Sequence, residues 1–244
     1  MKFENITKTF SYKNGLNVKL LNNISLELEV GKINSVLASV GSGKSTLLRI
    51  ICSLDTDDSN RKIENKCCII PSKPSSFPWL NVTENISFSN ENAETEYIKS
   101  LINLVGLEGY YAHYPNKNSL GFRFRIALAR SLAAKPEIIV LDEPFIEMDQ
   151  RTKFEILQLV VDINKQTKTT FLFATSNLSE ALLVSNNIFL IKKGSDGFLP
   201  LQKIEYPSES ITERLNSKIY SQYLADEENL AKSFASQQSF TISL

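Results

Sequence analysis

The sequence predicts an α/β fold with a mostly parallel sheet, an N-terminal antiparallel β subdomain and an inserted helical subdomain. Period-two alternation of apolar residues before residue 30 indicates antiparallel strands. A glycine-rich turn at residues 38–46 joins a short apolar run to a helical pattern, and helix and strand patterns alternate after residue 120. With 244 residues, the chain is long enough to bury the core of one such domain.

The N-terminal subdomain is indicated by two alternating runs. Phe3, Ile6 and Phe10 alternate with polar residues, and a second run of period two follows at residues 20–28. A polar turn at residues 13–15 separates the two runs. We therefore expect a pair of antiparallel strands ahead of the glycine-rich turn.

The glycine-rich turn reads ASVGSGKST and fits the phosphate-binding pattern [AG]-x-x-x-x-G-K-[ST]. Gly41 and Gly43 let backbone N–H groups approach phosphate oxygens, Lys44 would reach the β and γ phosphates, and the Ser45 hydroxyl would bind Mg²⁺. A plain turn between strand and helix is the alternative, but an apolar strand before the turn and a helix opening near Ser45 favour phosphate. The predicted ATP-binding residues here are Ala38, Ser39, Val40, Gly41, Ser42, Gly43, Lys44, Ser45 and Thr46.

Two carboxylates follow a second buried strand, predicted at residues 138–141. Asp142 and Glu143 would lie at the carboxyl edge of the sheet, where ligands bind in open α/β folds. We expect Asp142 to hold Mg²⁺ through water beside Ser45, and Glu143 to act as the catalytic residue that orients the water attacking the γ phosphate. Solvated carboxylates at a strand end are the alternative reading.

The remaining pattern divides the chain into an ATP-binding domain at residues 1–204 and a C-terminal helical and polar tail at residues 205–244. The helical subdomain is expected at about residues 82–134, with residues 82–117 reading as helical. One apolar face of the tail either packs on its own domain or forms a docking surface. The other predicted elements are strands at 67–70 and 170–174 and helices at 122–134, 152–166 and 179–184.

Charge and cysteine content exclude several classes of protein. Lys plus Arg and Asp plus Glu balance at 27 each, which gives no basic field for nucleic acid, so no nucleic-acid partner is expected. The cysteines, Cys52, Cys67 and Cys68, are odd in number and lack a C-x-x-C spacing, which favours reduced thiols in a cytoplasmic protein. We find no secretory signal pattern and no membrane-spanning apolar run, so we expect a soluble chain.

Two longer motifs follow the glycine-rich turn. They read FPWLNVTENI, from Phe77 to Ile86, and YPNKNSLGFRFRIALARSLAAKPEIIVLDEPF, from Tyr114 to Phe145, with Asp149 and Arg151 beyond. In these motifs the chain resembles the ATP-binding subunits of ABC transporters, with the fold of P-loop NTPases, and most closely the nitrate, sulfonate and taurine importer group. The resemblance extends from residue 1 to about residue 195.

The resemblance implies partners and a mechanism. Two ATP-binding subunits, identical or different, would pair head to tail, and permease subunits would hold them at the inner face of the membrane. Each nucleotide would lie between one subunit's phosphate loop and the other's signature motif, here Asn118, Ser119 and Gly121, with Asp149 nearby. Phe10, or else Tyr12, would stack on adenine, although either could instead be a strand core residue. Trp79 would lie near the permease, or in the core.

The chain departs from the family pattern at several of these positions. Ala38 replaces the first glycine of the phosphate loop, Ser72 the glutamine that senses Mg²⁺ and γ phosphate, and Ser176 the histidine that contacts the γ phosphate. Leu120 replaces a signature glycine, and either its bulk or its restricted dihedral angles would weaken the contact with phosphate.

We therefore expect MgATP binding with reduced hydrolysis. The alternative is a nucleotide-gated regulatory or binding module with little or no ATPase activity. A small-molecule kinase is a third reading, but it leaves the LDEP motif, Leu141 to Pro144, without a purpose. The single histidine, His113, is expected to be a structural or surface residue.

Overall fold

A central six-stranded sheet carries the site. The structure, a computed structural model, describes residues 1–13, 15–115, 119–191, 193–194, 197–198, 202–205 and 211–216. The strands of the sheet are β3 (Ile33–Leu37), β4 (Cys67–Ile70), β5 (Ile138–Asp142), β6 (Thr170–Thr175), β7 (Asn187–Leu190) and β10 (Gln202–Glu205). They lie in the order β10-β7-β3-β6-β5-β4, in which β10 is antiparallel to its neighbour and the other strands run parallel. The predicted α/β fold with a mostly parallel sheet is confirmed.

The predicted N-terminal hairpin is also present. Strands β1 (Lys2–Ser11) and β2 (Asn17–Glu27) pair antiparallel in a separate sheet, with Phe3 opposite Leu26 and Ile6 opposite Ile24. These four apolar side chains are buried, which explains the period-two pattern of the sequence. A second small hairpin, β8 (Lys193–Gly194) and β9 (Gly197–Phe198), lies near the end of the described chain.

Each face of the central sheet is covered by its own layer. In β3 the side chains of Ile33 and Leu37 belong to one core cluster and Val36 belongs to the other, as expected for a strand buried on both faces. Helix α1 (Lys44–Ile51) and the N-terminal hairpin cover the Val36 face. The opposite face carries α2 (Val82–Ser87), α3 (Thr95–Leu104), α4 (Leu120–Ala133), α5 (Gln150–Thr167), α6 (Leu178–Val184) and α7 (Ile211–Leu215).

The helical insert is more broken than the sequence predicts. Residues 82–117 read as helical, but the structure forms α2 and α3 with turns between and after them. The chain leaves α2 where Ser89 Oγ donates to the Arg130 carbonyl oxygen and Asn90 Nδ2 donates to that of Ala133, both on α4. Beyond α3, Gly106 takes a φ of 71°, a left-handed conformation that ends a helix. Contacts with α4 therefore override the local helical pattern.

The prediction of reduced thiols is wrong for two of the cysteines. Cys52 follows the last residue of α1 and Cys67 begins β4, and the two form a disulfide with their Cα atoms 5.2 Å apart. The pairing arises because the end of α1 packs beside the start of β4, and a separation of 15 residues gives no hint of that contact. Cys68 remains a free thiol, and burial raises its pKa.

The start of the tail packs on the domain. Ile211 is fully buried in the core cluster, and the Arg214 guanidinium donates to the carbonyl oxygens of Leu182 and Ser185 at the end of α6. Residues 217–244 lie outside the described residues. In the part of the chain that the structure describes, we find no helix with the length and apolar character to cross a bilayer.

Candidate functional site

The glycine-rich turn forms one wall of a cavity of about 420 Å³ at the carboxyl ends of β3 and β5. Strand β3 ends at Leu37, the turn follows, and α1 begins at Lys44 with Gly43 as its N-cap residue. Of the predicted residues, ten line this cavity: Val40, Gly41, Ser42, Gly43, Lys44, Ser45, Thr46, Ser72, Asp142 and Glu143. The structure therefore brings together the phosphate loop and both carboxylates.

The cavity has the features that a triphosphate requires. Gly41 and Gly43 have φ angles of 78° and 85°, which only glycine adopts without strain. No side chain caps the N-terminus of α1 and its first turn carries no acidic residue, which leaves this helix end suited to an anion. Within the described chain, the Ser42 hydroxyl is buried without a hydrogen-bond partner. These features fit a bound phosphate group.

Lys44 is buried and points at acceptors within the site. Its Nζ donates to the carbonyl oxygens of Ala38 and Ser39, at 2.7 and 2.9 Å, so these two residues shape the site without lining the cavity. The same Nζ lies 3.1 Å from Glu143 Oε1. The Lys44 and Glu143 side chains are 5% and 17% exposed, so this ion pair is largely shielded from water.

Ser45 and Asp142 supply the oxygen atoms that a magnesium site needs. The Ser45 hydroxyl donates to Asp142 Oδ1 over 3.2 Å, and both side chains line the cavity. Burial raises the pKa of Asp142, and its hydrogen bond from Ser45 opposes that rise. Hydroxyl and carboxylate oxygens are ligands that Mg²⁺ prefers, so these two residues fit the ion.

Glu143 is held in place by its backbone and its side chain. It has a φ of 47°, unusual for a residue with a side chain, and its N–H donates to the Ala174 carbonyl oxygen over 2.9 Å. Its Oε2 accepts from the backbone N–H and the hydroxyl of Ser176, over 3.3 and 3.4 Å. Ser176 thus reaches the carboxylate that we predict to be catalytic, a contact that the sequence did not reveal.

The predicted signature residues lie away from this cavity. Ser119 caps α4 by accepting from the Phe122 N–H, and Ser119 and Gly121 line a separate cavity of about 230 Å³. Asn118 lies outside the described residues. Leu120 is the first residue of α4 and is not among the described residues with positive φ, so both explanations of its effect, its bulk and its restricted dihedral angles, stay predictions.

Two further predicted residues also lie outside the phosphate-loop cavity. The Asp149 carboxylate accepts from the N–H and hydroxyl of Thr152 and so caps α5; these hydrogen bonds lower its pKa. Phe10 is 38% exposed near the end of β1, with the Lys8 ammonium 5.7 Å from its ring centroid. Tyr12 is more exposed still, so the strand-core alternative is wrong for both aromatic residues.

The structure adds two residues that the sequence reasoning missed. Leu20 of β2 and Ile146, beyond β5, both line the phosphate-loop cavity. Leu20 belongs to the alternating run already noted, but its direction depends on how the hairpin packs. Ile146 lies four positions after Asp142, and this closeness in sequence is the signal that could have identified it.

Trp79 and His113 are both on the surface. Trp79 is 70% exposed, so the core alternative for it is wrong; its ring lies 5.7 Å from that of Phe77, which in turn is 4.7 Å from Phe88. His113 is exposed and its carbonyl oxygen accepts from the Val82 N–H, which confirms a structural or surface role.

Comparison with known proteins agrees with this geometry. A family model described as ABC transporter matches residues 21–146. An aliphatic sulfonates import ATP-binding protein SsuB of Bacillus cereus is 34% identical over 236 residues, covering 89% of this chain and 93% of the relative. The ATP-binding cassette MJ0796, solved as a dimer with ADP and Pi, superposes with a TM-score of 0.69 at 26% identity, covering 84% of this chain and 98% of that structure. The structure of cbiO1 from Clostridium perfringens, at 20% identity and a TM-score of 0.72, covers 97% of this chain and 98% of its own, and shows the same fold.

Proposed function

Because the chain belongs to the ABC transporter family of ATP-binding proteins, we propose that it is the ATP-binding subunit of an importer, and that it binds MgATP but hydrolyses it slowly. The relatives named for aliphatic sulfonate import support a solute import role. On this proposal the chain is cytoplasmic and lies at the inner face of the membrane through permease subunits, where it pairs with a second ATP-binding subunit, as the dimeric MJ0796 structure does with its own copy. The chain would form one ATP-binding domain at residues 1–204, with residues 205–244 as a tail.

The observation that carries the proposal is the convergence of Lys44, Ser45, Asp142 and Glu143 on one cavity. Lys44 and the N–H groups at the start of α1 would hold the β and γ phosphates, and Ser45 with Asp142 would hold Mg²⁺. Bound Mg²⁺ would neutralise charge on the phosphates as the terminal bond breaks. Glu143 would orient the attacking water.

Three substitutions support slow hydrolysis. Ser72 lines the cavity, but its side chain is too short to reach a metal-bound phosphate as a glutamine would. Ser176 reaches Glu143 but lacks the imidazole that would extend to the γ phosphate. Leu120 adds bulk at the start of α4, where a glycine would let a partner's phosphate approach. Since a positioning group of this kind contributes about 10²- to 10⁴-fold to a rate, losing these should slow turnover severely.

The same substitutions favour a second candidate function. A nucleotide-gated regulatory module would need the intact phosphate loop but not fast hydrolysis. This chain keeps the loop and has Ser72 and Ser176 in place of the glutamine and the histidine of the family pattern. The two functions differ in their partner. A transport subunit binds a permease, whereas a regulatory module binds nucleotide without one.

The test combines purification with nucleotide binding. We expect the chain from native membranes to co-purify with a permease and to bind MgATP, with binding lost in Lys44→Ala and kept in Glu143→Gln. We expect slow hydrolysis that Glu143→Gln abolishes. Hydrolysis at ordinary transporter rates would refute reduced turnover, and nucleotide binding without any membrane partner would favour the regulatory module.

A further inference from the structure

Lys44 has three acceptors, and one of them is the predicted catalytic carboxylate. Two are carbonyl oxygens of the loop itself, from Ala38 and Ser39. The third is Glu143 Oε1 at 3.1 Å. An ammonium group has three N–H donors, so Lys44 is saturated in this arrangement. A phosphate that binds Lys44 must therefore displace one of these acceptors.

Glu143 is the acceptor that a phosphate would displace. The two carbonyl oxygens belong to the loop predicted to wrap a phosphate, whereas Glu143 follows a different strand, β5, and presents a negative oxygen in the same cavity. Its charge and its position 3.1 Å from Lys44 Nζ resemble those of a phosphate oxygen. At 5% and 17% exposure, the pair is shielded enough for its loss to matter.

Ser176 fixes the other oxygen of the same carboxylate. Its N–H and hydroxyl both contact Glu143 Oε2, at 3.3 and 3.4 Å. The backbone of Glu143 is itself fixed by its N–H bond to Ala174. With the backbone and Oε2 held, Oε1 is directed at Lys44.

The neighbouring carboxylate provides an internal control. Asp142 carries the same charge and lines the same cavity, but its hydrogen bond is with the Ser45 hydroxyl. In the described part of the chain, Lys44 is within ion-pair distance of Glu143 and not of Asp142. Replacing either acid by its amide removes one negative charge from the cavity, but only the Glu143 change removes a charged acceptor from Lys44.

We propose that Glu143 takes the place of a nucleotide phosphate on Lys44 when the site holds no nucleotide, and that Ser176 is the positioning residue that keeps it there. The proposal deepens the proposed function and rests on it for the identity of the phosphate ligand. Nucleotide entry exchanges one anion for another on Lys44. The exchange lowers the affinity for nucleotide, and it releases Glu143 only once a phosphate has arrived.

The first test needs no nucleotide. Thermal unfolding of Lys44→Met, Glu143→Gln and the double variant forms a mutant cycle. We expect the double variant to melt about 3 °C or more above the additive expectation, since a coupling of about 1 kcal/mol corresponds to that shift in a domain of this size. The matched cycle of Lys44→Met with Asp142→Asn should be closer to additive. Equal coupling in both cycles, or none in the first, would overturn the proposal.

The second test measures ADP affinity in EDTA, so neither Mg²⁺ nor hydrolysis contributes. We expect Glu143→Gln to bind ADP about tenfold more tightly than the unaltered chain, as loss of one competing charge-assisted bond implies. Asp142→Asn should tighten ADP binding by less than about threefold, because it removes a negative charge from the cavity but no ion pair with Lys44. Equal tightening by the two variants would show a general charge effect and refute the exchange.

Variants at Ser176 test its positioning role in the same assay. Ser176→Ala removes the hydroxyl contact to Oε2 and should tighten ADP binding by about twofold to fivefold. Ser176→Thr keeps a hydroxyl and should behave as the unaltered chain does. ADP affinity unchanged in Ser176→Ala would refute the role of Ser176. If neither the unaltered chain nor Glu143→Gln binds ADP or ATP, the proposed function fails, while the nucleotide-free cycle still decides the Lys44–Glu143 pairing.

Discussion

Gly41 and Gly43 provide a quantitative test of the phosphate loop. Both have positive φ, 78° and 85°, so alanine at either position costs about 1–2 kcal/mol of conformational strain. Their surroundings differ. A Cβ at Gly43 would lie 2.9 Å from Leu20 Cγ and 3.1 Å from Leu21 Cδ2, whereas a Cβ at Gly41 has no atom within 4 Å. Overlap in a packed region adds about 1–3 kcal/mol.

We therefore expect Gly41→Ala to lower the free energy of unfolding by about 1 kcal/mol and Gly43→Ala to lower it by about 3 kcal/mol. Guanidinium denaturation without nucleotide measures both values on one scale. Shortening Leu20 to alanine should recover part of the loss in Gly43→Ala, because it removes the nearest clashing atom. Equal losses for the two glycine variants, or no recovery in the Leu20→Ala background, would refute the loop geometry.

Three further predictions concern catalysis, stability and partners. Ser176→His should raise ATP hydrolysis by about 10²-fold or more, because an imidazole there could reach both Glu143 and the γ phosphate; steady-state kinetics with ATP would check this, and an unchanged rate would contradict it. Asp57→Asn should lower the free energy of unfolding by about 1–3 kcal/mol at neutral pH, because it removes the charged partner of Arg61. Burial raises the pKa of Asp57, but the hydrogen bonds and the charge of Arg61 outweigh burial and hold that pKa below its ordinary value. The fold stabilises the ionised form of Asp57, so the difference in free energy of unfolding between the variant and the unaltered chain should shrink as the pH falls through the acidic range. Urea unfolding at several pH values measures this difference, and a difference that does not change with pH would argue against the pairing. Trp79→Ala should leave the free energy of unfolding within about 0.5 kcal/mol, since the ring is 70% exposed, yet reduce recovery of the permease; equal recovery would remove Trp79 from that interface.

The parts of the fold that the sequence predicted are those fixed by local pattern. The strand at residues 67–70 matches β4 residue for residue, and the strand at 170–174 falls one residue short of β6. Buried parallel strands appear as short apolar runs, so their positions can be found without tertiary information. The short strand β7 follows α6 after only two polar residues, Ser185 and Asn186, and it was missed.

The features that the sequence could not reveal depend on contacts between distant segments. The Glu143 backbone has its unusual φ while its N–H donates to Ala174 on the adjacent strand, 31 positions further along. The Ser176 contacts to Glu143 follow from that pairing of β5 and β6. The motif predicted which side chains would gather at the cavity, but their hydrogen bonds required the folded sheet.

The altered residues fall on both halves of a head-to-tail dimer, if the chain forms one as we propose. Ser72 lines the chain's own cavity and Ser176 contacts Glu143, which lines it too, so both would act on the nucleotide that Lys44 would bind. Leu120 lies with Ser119 at the start of α4, which would face the partner's nucleotide. A partner with intact motifs would then complete neither site. The site on this chain's phosphate loop would lack the glutamine and the histidine, and the site on the partner's phosphate loop would face Leu120 of this chain. Pairing with an unaltered subunit therefore leaves two unequal sites, and restoring either one requires a change in this chain.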